Sequence, residues 1–221
     1  MKSGKAYGIL FLVLLCCAVM AFVETVLEPA YAVKSAIKVV VFLLLPLIFA
    51  RAAGIKRFNP MFVPDKKRVL PLLALGFLIY AVIMGAYALT KNIFDYTALV
   101  QSLSADQNVE PASFLWVAAY ISFCNSFLEE FLFRFVSFLK LSHYASRKTA
   151  YLFSSIAFAV YHIAMIGTSF PPLLLFLALI GLTVGGYIFD YVDEKGEGVY
   201  YSWMIHMFAD FAIMTIWYLH M

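Results

Sequence analysis

The chain has 221 residues, of which 64% are hydrophobic and only 13% charged, with a mean hydropathy of +0.90. Soluble domains carry roughly 25% charged residues, so this composition excludes an ordinary soluble domain and indicates a polytopic membrane protein. The net charge of +3 is then no nucleic-acid footprint; what counts is where Lys and Arg fall along the chain.

In chain order, MKSGK followed by AYGILFLVLLCCAVMAFV has the basic and apolar regions of a signal peptide, and Ala30-Tyr31-Ala32 loosely resembles a cleavage site. The apolar run is long enough to span and further spans follow, so it is read as a first span rather than a cleaved leader. VLLC makes a poor lipobox because Leu15 precedes Cys16. At about 20 apolar residues per spanning helix, spans are predicted at roughly 7–27, 35–53, 69–90, 112–141, 149–167, 172–190 and 199–219. Pro111 opens the fourth, Pro171-Pro172 opens the sixth, and EKGEG separates the sixth from the seventh. The expected fold is an all-α polytopic membrane protein. It is a bundle of about seven helices, or eight if one escapes notice, forming a single integral membrane domain over residues 1–221 with an intramembrane polar cavity. Cys16, Cys17 and Cys124 lie in apolar segments and suggest no disulfide framework.

With the N-terminus inside, the inner connections hold Lys2, Lys5, Arg51, Lys56, Arg57, Lys66, Lys67, Arg68, Lys140, Arg147, Lys148 and Lys195. The outer ones hold Lys34, Lys38 and Lys91, and Asp95, Asp106 and Glu110 make the longest outer loop acidic. This asymmetry places the N-terminus in the cytoplasm, and the short loops and compact chain suggest a bacterial inner membrane. Lys66-Lys67-Arg68 is read as a topology anchor, with anionic lipid as an alternative ligand. The 22 Phe and 14 Tyr are read as lipid-facing surface and interfacial belt.

Charges inside the spans are the informative residues. FCNSFLEEFLFRFVSFLKL, residues 123–141, carries Glu129, Glu130 and Arg134, and each charge at a bilayer centre costs roughly 2.5–3.5 kcal/mol on the lenient insertion scale. Counting about 1.5 Å of rise per residue from the inner end, Glu129 lies about 18 Å deep, His162 about 20 Å, Asp210 about 16 Å and His206 about 10 Å. Four ionisable groups from three helices share one band, so they are expected to face a common interior cavity.

Glu130 and Arg134 are spaced i, i+4 and can pair to lock the helix, which leaves Glu129 as the free carboxylate. His206 and Asp210 repeat that spacing on the last span. A carboxylate withdrawn from water can act as a general base near neutral pH. Together with His162 it would activate a water, while His206 and its neighbour stabilise the oxyanion of a carbonyl under attack. That chemistry is peptide hydrolysis within a membrane.

EEFLFR (Glu129, Glu130, Arg134), FAVYH (Phe158 to His162) and HMFAD (His206 to Asp210) resemble the Glu-Glu-x-x-x-Arg, Phe-x-x-x-His and His-x-x-x-Asn/Asp motifs of the CPBP family. This family of intramembrane glutamic endopeptidases comprises the type II CAAX prenyl endopeptidases and their bacterial bacteriocin-processing and immunity relatives, also called the Abi family. The resemblance covers a catalytic core of about 112–215, with GLTVGGYIFDYV preceding the last motif as in many members. It implies that Glu129 and His162 activate the water and that His206 with Asp210 forms the oxyanion site, with Glu130 and Arg134 in support and no metal or other cofactor. The prenyl endopeptidases usually carry Asn where Asp210 stands; an ionised Asp offers no donor, so Asp210 is expected to be protonated or to orient His206.

Three other readings use the same residues. Glu129, His162 and His206 are ordinary zinc ligands, although no His-Glu-x-x-His is present. A non-catalytic membrane partner, serving bacteriocin immunity or modulating a sensor kinase, would use them as a structural network. A transporter would use Glu129 as a proton relay. Cys124 in apolar surroundings is read as unreactive, and His143 and His220 as incidental. The expected partners are a peptide or membrane-protein substrate and the lipid bilayer, with no nucleic acid; the residues do not indicate an oligomeric state.

Overall fold

In the computed structural model, which describes residues 2–55, 66–106 and 109–221, every regular element among them is a helix. They run α1 (2–27), α2 (Tyr31–Ala52), α3 (Lys66–Thr90), α4 (Tyr96–Asp106), α5 (Pro111–His143), α6 (Arg147–Ile166), α7 (Pro172–Gly196) and α8 (Tyr200–Leu219). Among the described residues six helices, α1 to α3 and α5 to α7, are long and apolar enough to cross a membrane. The seventh expected span, α8, has 20 residues, about 30 Å of helix, with His206 and Asp210 diluting its apolar character. The chain is an all-α polytopic integral membrane protein. Lys56 and Arg57, and the side chains of Lys2, Lys66 and Asp106, lie outside what is described.

Several boundaries differ from the sequence reading for local reasons. The long outer loop contains α4, 11 residues long and too short to span. Helix α1 ends where Glu28 turns left-handed (φ 42°) and donates its N–H to the Val23 carbonyl at 3.0 Å, with Pro29 next in the chain. Helix α7 continues to Gly196 and ends on the left-handed Glu197 (φ 59°). Lys34 and Lys38, counted as outer-loop charges, stand instead within α2 and are buried.

Helix α5 is the centre of the bundle. Phe131, Leu132, Phe133 and Phe138 are fully buried against Ile9 and Met20 of α1, Phe42 of α2, and Phe158 and Tyr161 of α6. The Phe133 ring meets Phe42 edge-on at 5.9 Å and Phe158 at 5.4 Å. These phenylalanines are therefore core, and the lipid-surface reading fails for them. Lipid offers no driving force for burying apolar groups against each other, so this core is held by close packing and polar contacts. Small residues permit the approach: a side chain at Gly76 of α3 would overlap Phe208 of α8, and a Cβ at Gly186 of α7 would sit 3.1 Å from Ser155 Cα of α6. Helix α5 also winds loosely, with π-helical turns over Tyr120–Asn125 and Glu130–Lys140. Such turns free backbone carbonyls, and Trp203 Nε1 of α8 donates to one of them, Phe123 O, at 3.1 Å.

The basic connections gather at one end of the bundle. Lys5 Nζ donates to the Gly54 carbonyl at 2.8 Å and lies over the Tyr144 ring. Arg68 reaches the Lys195 carbonyl, and Arg147 grips Glu194 through two 2.6 Å contacts. At the other end His220, read as incidental, bonds Tyr87 at 2.8 Å and Thr97 at 3.0 Å, joining α3, α4 and the end of α8.

Three helices meet at Arg134, which is fully buried. Its Nε lies 3.3 Å from Glu130 Oε2 on its own helix. Its Nη1 donates to Ser154 Oγ of α6 at 2.8 Å and lies 3.5 Å from Asp190 Oδ1 of α7. Ser154 and Ser155 donate to Asp190 in turn, at 2.9 and 3.3 Å, and Phe158 and Phe189 flank the guanidinium at 4.5 and 5.5 Å. The i, i+4 pairing expected of Glu130 and Arg134 is present, but it is one edge of a larger network to which Asp190 contributes. Breaking a buried pair by removing one partner costs about 3–5 kcal/mol because the other charge is stranded. Asp190→Ala is therefore expected to lower the thermal unfolding midpoint of the detergent-purified protein sharply, and Asp190→Asn to lower it less.

Candidate active site

Four helices converge on Glu129. Helix α5 supplies Asn125, Glu129 and Glu130; α6 supplies His162; α8 supplies His206 and Asp210; and α2 supplies Lys38. Glu129, Glu130 and Lys38 are buried, as is His206 at 6% exposure.

The backbone orients His162. Regular α-helical winding stops at Tyr161, and the ring's Nδ1 lies 2.7 Å from the Phe158 carbonyl, one of the acceptors a helix end leaves unpaired. A carbonyl only accepts, so Nδ1 carries the hydrogen and Nε2 faces the site. His206 is oriented the same way by a side chain: its Nδ1 donates to Glu130 Oε1 at 2.7 Å, and its ring lies against Phe189 at 5.4 Å. Glu129 Oε2 then lies 3.7 Å from His162 Nε2 and 3.9 Å from His206 Nε2, and His206 Nε2 lies 3.7 Å from Asp210 Oδ1. These separations exceed a direct hydrogen bond of about 2.7–3.2 Å and suit groups that act on a third molecule between them. Asp210 Oδ2 is buried and has no hydrogen-bond partner among the described residues.

All six residues singled out in the sequence are thus brought together, with three differences. Glu129 is not the free carboxylate: its Oε1 accepts from Lys38 Nζ at 2.6 Å and from Asn125 Nδ2 at 3.0 Å. Glu130 does more than lock its helix, since it is the direct partner of His206. Asp210 lies farther from His206 than Glu130 does, so Glu130 is the residue that orients that ring.

Sequence reasoning missed Lys38, Asn125 and Asp190. The signal for Lys38 was available, because a lysine within an apolar span marks a functional position by default. Asn125 stands one helical turn before Glu129 and carries no charge to flag it, and Asp190 looked like the end of a span. Cys124 is exposed and is not part of this cluster. Among the described residues no three His, Cys, Asp or Glu side chains are grouped to hold a metal ion. The Lys38 ammonium occupies one oxygen of the carboxylate that a zinc site here would require.

A family model described as type II CAAX prenyl endopeptidase Rce1-like matches residues 111–212. No curated protein and no solved structure gives a significant match. The matched segment runs from the start of α5 into α8 and contains Glu129, Glu130, Arg134, His162, His206 and Asp210, while Lys38 lies before it. Over residues 111–212 this chain is similar to the type II CAAX prenyl endopeptidase Rce1-like family.

Proposed function

We propose that the protein is an intramembrane endopeptidase that hydrolyses a peptide bond in a membrane-associated peptide or protein. The observation that carries this reading is the convergence of Glu129 Oε2, His162 Nε2 and His206 Nε2, within 3.9 Å of the carboxylate oxygen, in a buried part of the bundle. The match of residues 111–212 to the type II CAAX prenyl endopeptidase Rce1-like family supports it. The whole chain acts as one integral membrane domain with its catalytic core over about 112–215, its basic end and N-terminus in the cytoplasm of a bacterial inner membrane.

A water held between Glu129 Oε2 and His162 Nε2 attacks the carbonyl carbon, and its proton passes to the carboxylate. His206 faces the developing oxyanion through Nε2. A ring that already donates Nδ1–H to Glu130 and also donates from Nε2 is an imidazolium, and the Glu130 carboxylate 2.7 Å away stabilises that charge. Asp210 flanks Nε2, and its unpartnered Oδ2 is available to the substrate's peptide group. The proton on Glu129 then moves to the leaving amine as the C–N bond breaks. The chemistry is carried by side chains without a metal, since Lys38 already neutralises the carboxylate.

Three outcomes are expected. Membrane and secreted peptide termini are compared between cells expressing the native chain and cells expressing Glu129→Gln at matched levels. New termini should be present only with the native chain, at a rate reduced about 10²- to 10⁴-fold in the variant; identical termini, with the cellular role intact in Glu129→Gln, would move the assignment to a non-catalytic membrane partner. Dialysis of the purified protein against a chelator should leave the cleavage rate unchanged, and loss restored by zinc would return the zinc reading. Asp210→Asn should retain cleavage, because an amide can still flank His206 and also donate, whereas Asp210→Ala should lose it.

A further inference from the structure

Lys38 neutralises Glu129 but takes no proton and touches no reacting atom in the chemistry just described, lies outside the family-matched segment, and makes the shortest contact to Glu129. We propose that Lys38, with Asn125, is a positioning residue: it commits one oxygen of Glu129 so that the other alone, Oε2, works as the base between His162 and His206. The inference rests on the reading of Glu129 as general base.

The geometry is a closed triangle. Lys38 Nζ donates to Glu129 Oε1 at 2.6 Å and also to Asn125 Oδ1. Asn125 Nδ2 donates to the same Oε1 at 3.0 Å. The ammonium has only donors and the amide has one donor end and one acceptor end, so one orientation of the amide satisfies all three groups. Two donors on Oε1 stop the carboxylate from rotating about its terminal bond, and Oε2 is left 3.7 and 3.9 Å from the two imidazole Nε2 atoms. Without them the carboxylate would be free to turn and lose its common aim at both rings.

The ammonium is itself fixed in place. It lies 5.2 Å from the Phe42 ring and 5.1 Å from the Tyr161 ring, and both rings belong to the packed core around α5. Lys38 is 4% exposed, so neither water nor lipid headgroups compete for it, and Lys34, one turn earlier, is engaged by Glu24 at 2.7 Å. The N-terminal spans therefore contribute to the site through a charge, as well as packing against it.

The test uses Lys38→Met, Lys38→Arg and Asn125→Ala beside Glu129→Gln, with termini quantified in cells at matched levels of folded protein and melting followed in detergent. A misplacement of about 1 Å can reduce turnover about 10²-fold, so Lys38→Met should reduce the Glu129-dependent termini by about that factor, with Lys38→Arg recovering most of the loss and Asn125→Ala losing less. Melting should show a reversal of sign. Lys38→Met should lower the midpoint of the native chain but raise that of Glu129→Gln, in which Lys38 is a buried cation without its partner. Native amounts of termini from Lys38→Met, or from Asn125→Ala if Lys38→Met does not fold, would overturn the positioning role while Glu129→Gln keeps the endopeptidase reading intact. So would Lys38→Arg performing no better than Lys38→Met. If no termini depend on Glu129, the functional reading fails first, and additive melting shifts would then reject the pairing as well.

Discussion

A guanidinium withdrawn from both water and lipid has to be surrounded by carboxylates and hydroxyls, and Arg134 obtains them from three helices. Glu130 comes from its own helix, Ser154 from α6 and Asp190 from α7. The loose π-helical winding of α5 and the missing side chain at Gly186, where a Cβ would lie 3.4 Å from Arg134 Nη2, make room for this junction. Its reach extends to the site, because Glu130 gives its second oxygen to His206 Nδ1. The position of one imidazole in the proposed site thus depends on a charge network whose primary task is to hold helices together.

Adjacent carboxylates on one helix acquire different work from their surroundings. Glu130 faces both Arg134 and His206: its Oε1 accepts from the imidazole and its Oε2 lies in ion-pair contact with the guanidinium at 3.3 Å. Glu129, displaced around the helix axis, faces α2 and is consumed on one oxygen only. Removing a charge from water is costly enough that each must be paired or hydrogen-bonded. The arrangement that meets this demand for Glu129 also leaves a single oxygen directed at two histidines.

Asp210 follows the same logic with a different result. It stands at the edge of the cluster, 3.7 Å from His206, with one oxygen lacking a hydrogen-bond partner among the described residues. Glu130 already orients His206, so the residue at position 210 need not do so. The proposed site would then accept either an acid or an amide there, in keeping with the variation between Asp and Asn in the motif that this chain resembles.

The helical, membrane-spanning character of the chain and the membership of Glu129, Glu130, Arg134, His162, His206 and Asp210 in one buried cluster were legible in the sequence. Apolar runs of spanning length leave the backbone no alternative to helix, and ionisable groups at matching depth have no tolerable direction except inward. Which partner each group takes was not legible. Spacing along one helix predicted the Glu130 to Arg134 pair, but the bonds from Glu130 to His206, from Arg134 to Asp190 and from Lys38 to Glu129 cross between helices. They depend on rotation and close approach, set by contacts such as Gly186 against Ser155 and Phe208 against Gly76. Sequence determined that these charges must be paired within the bundle; tertiary packing alone decided with whom, because the depth of a residue follows from counting along a helix whereas the direction it faces follows from what that helix packs against.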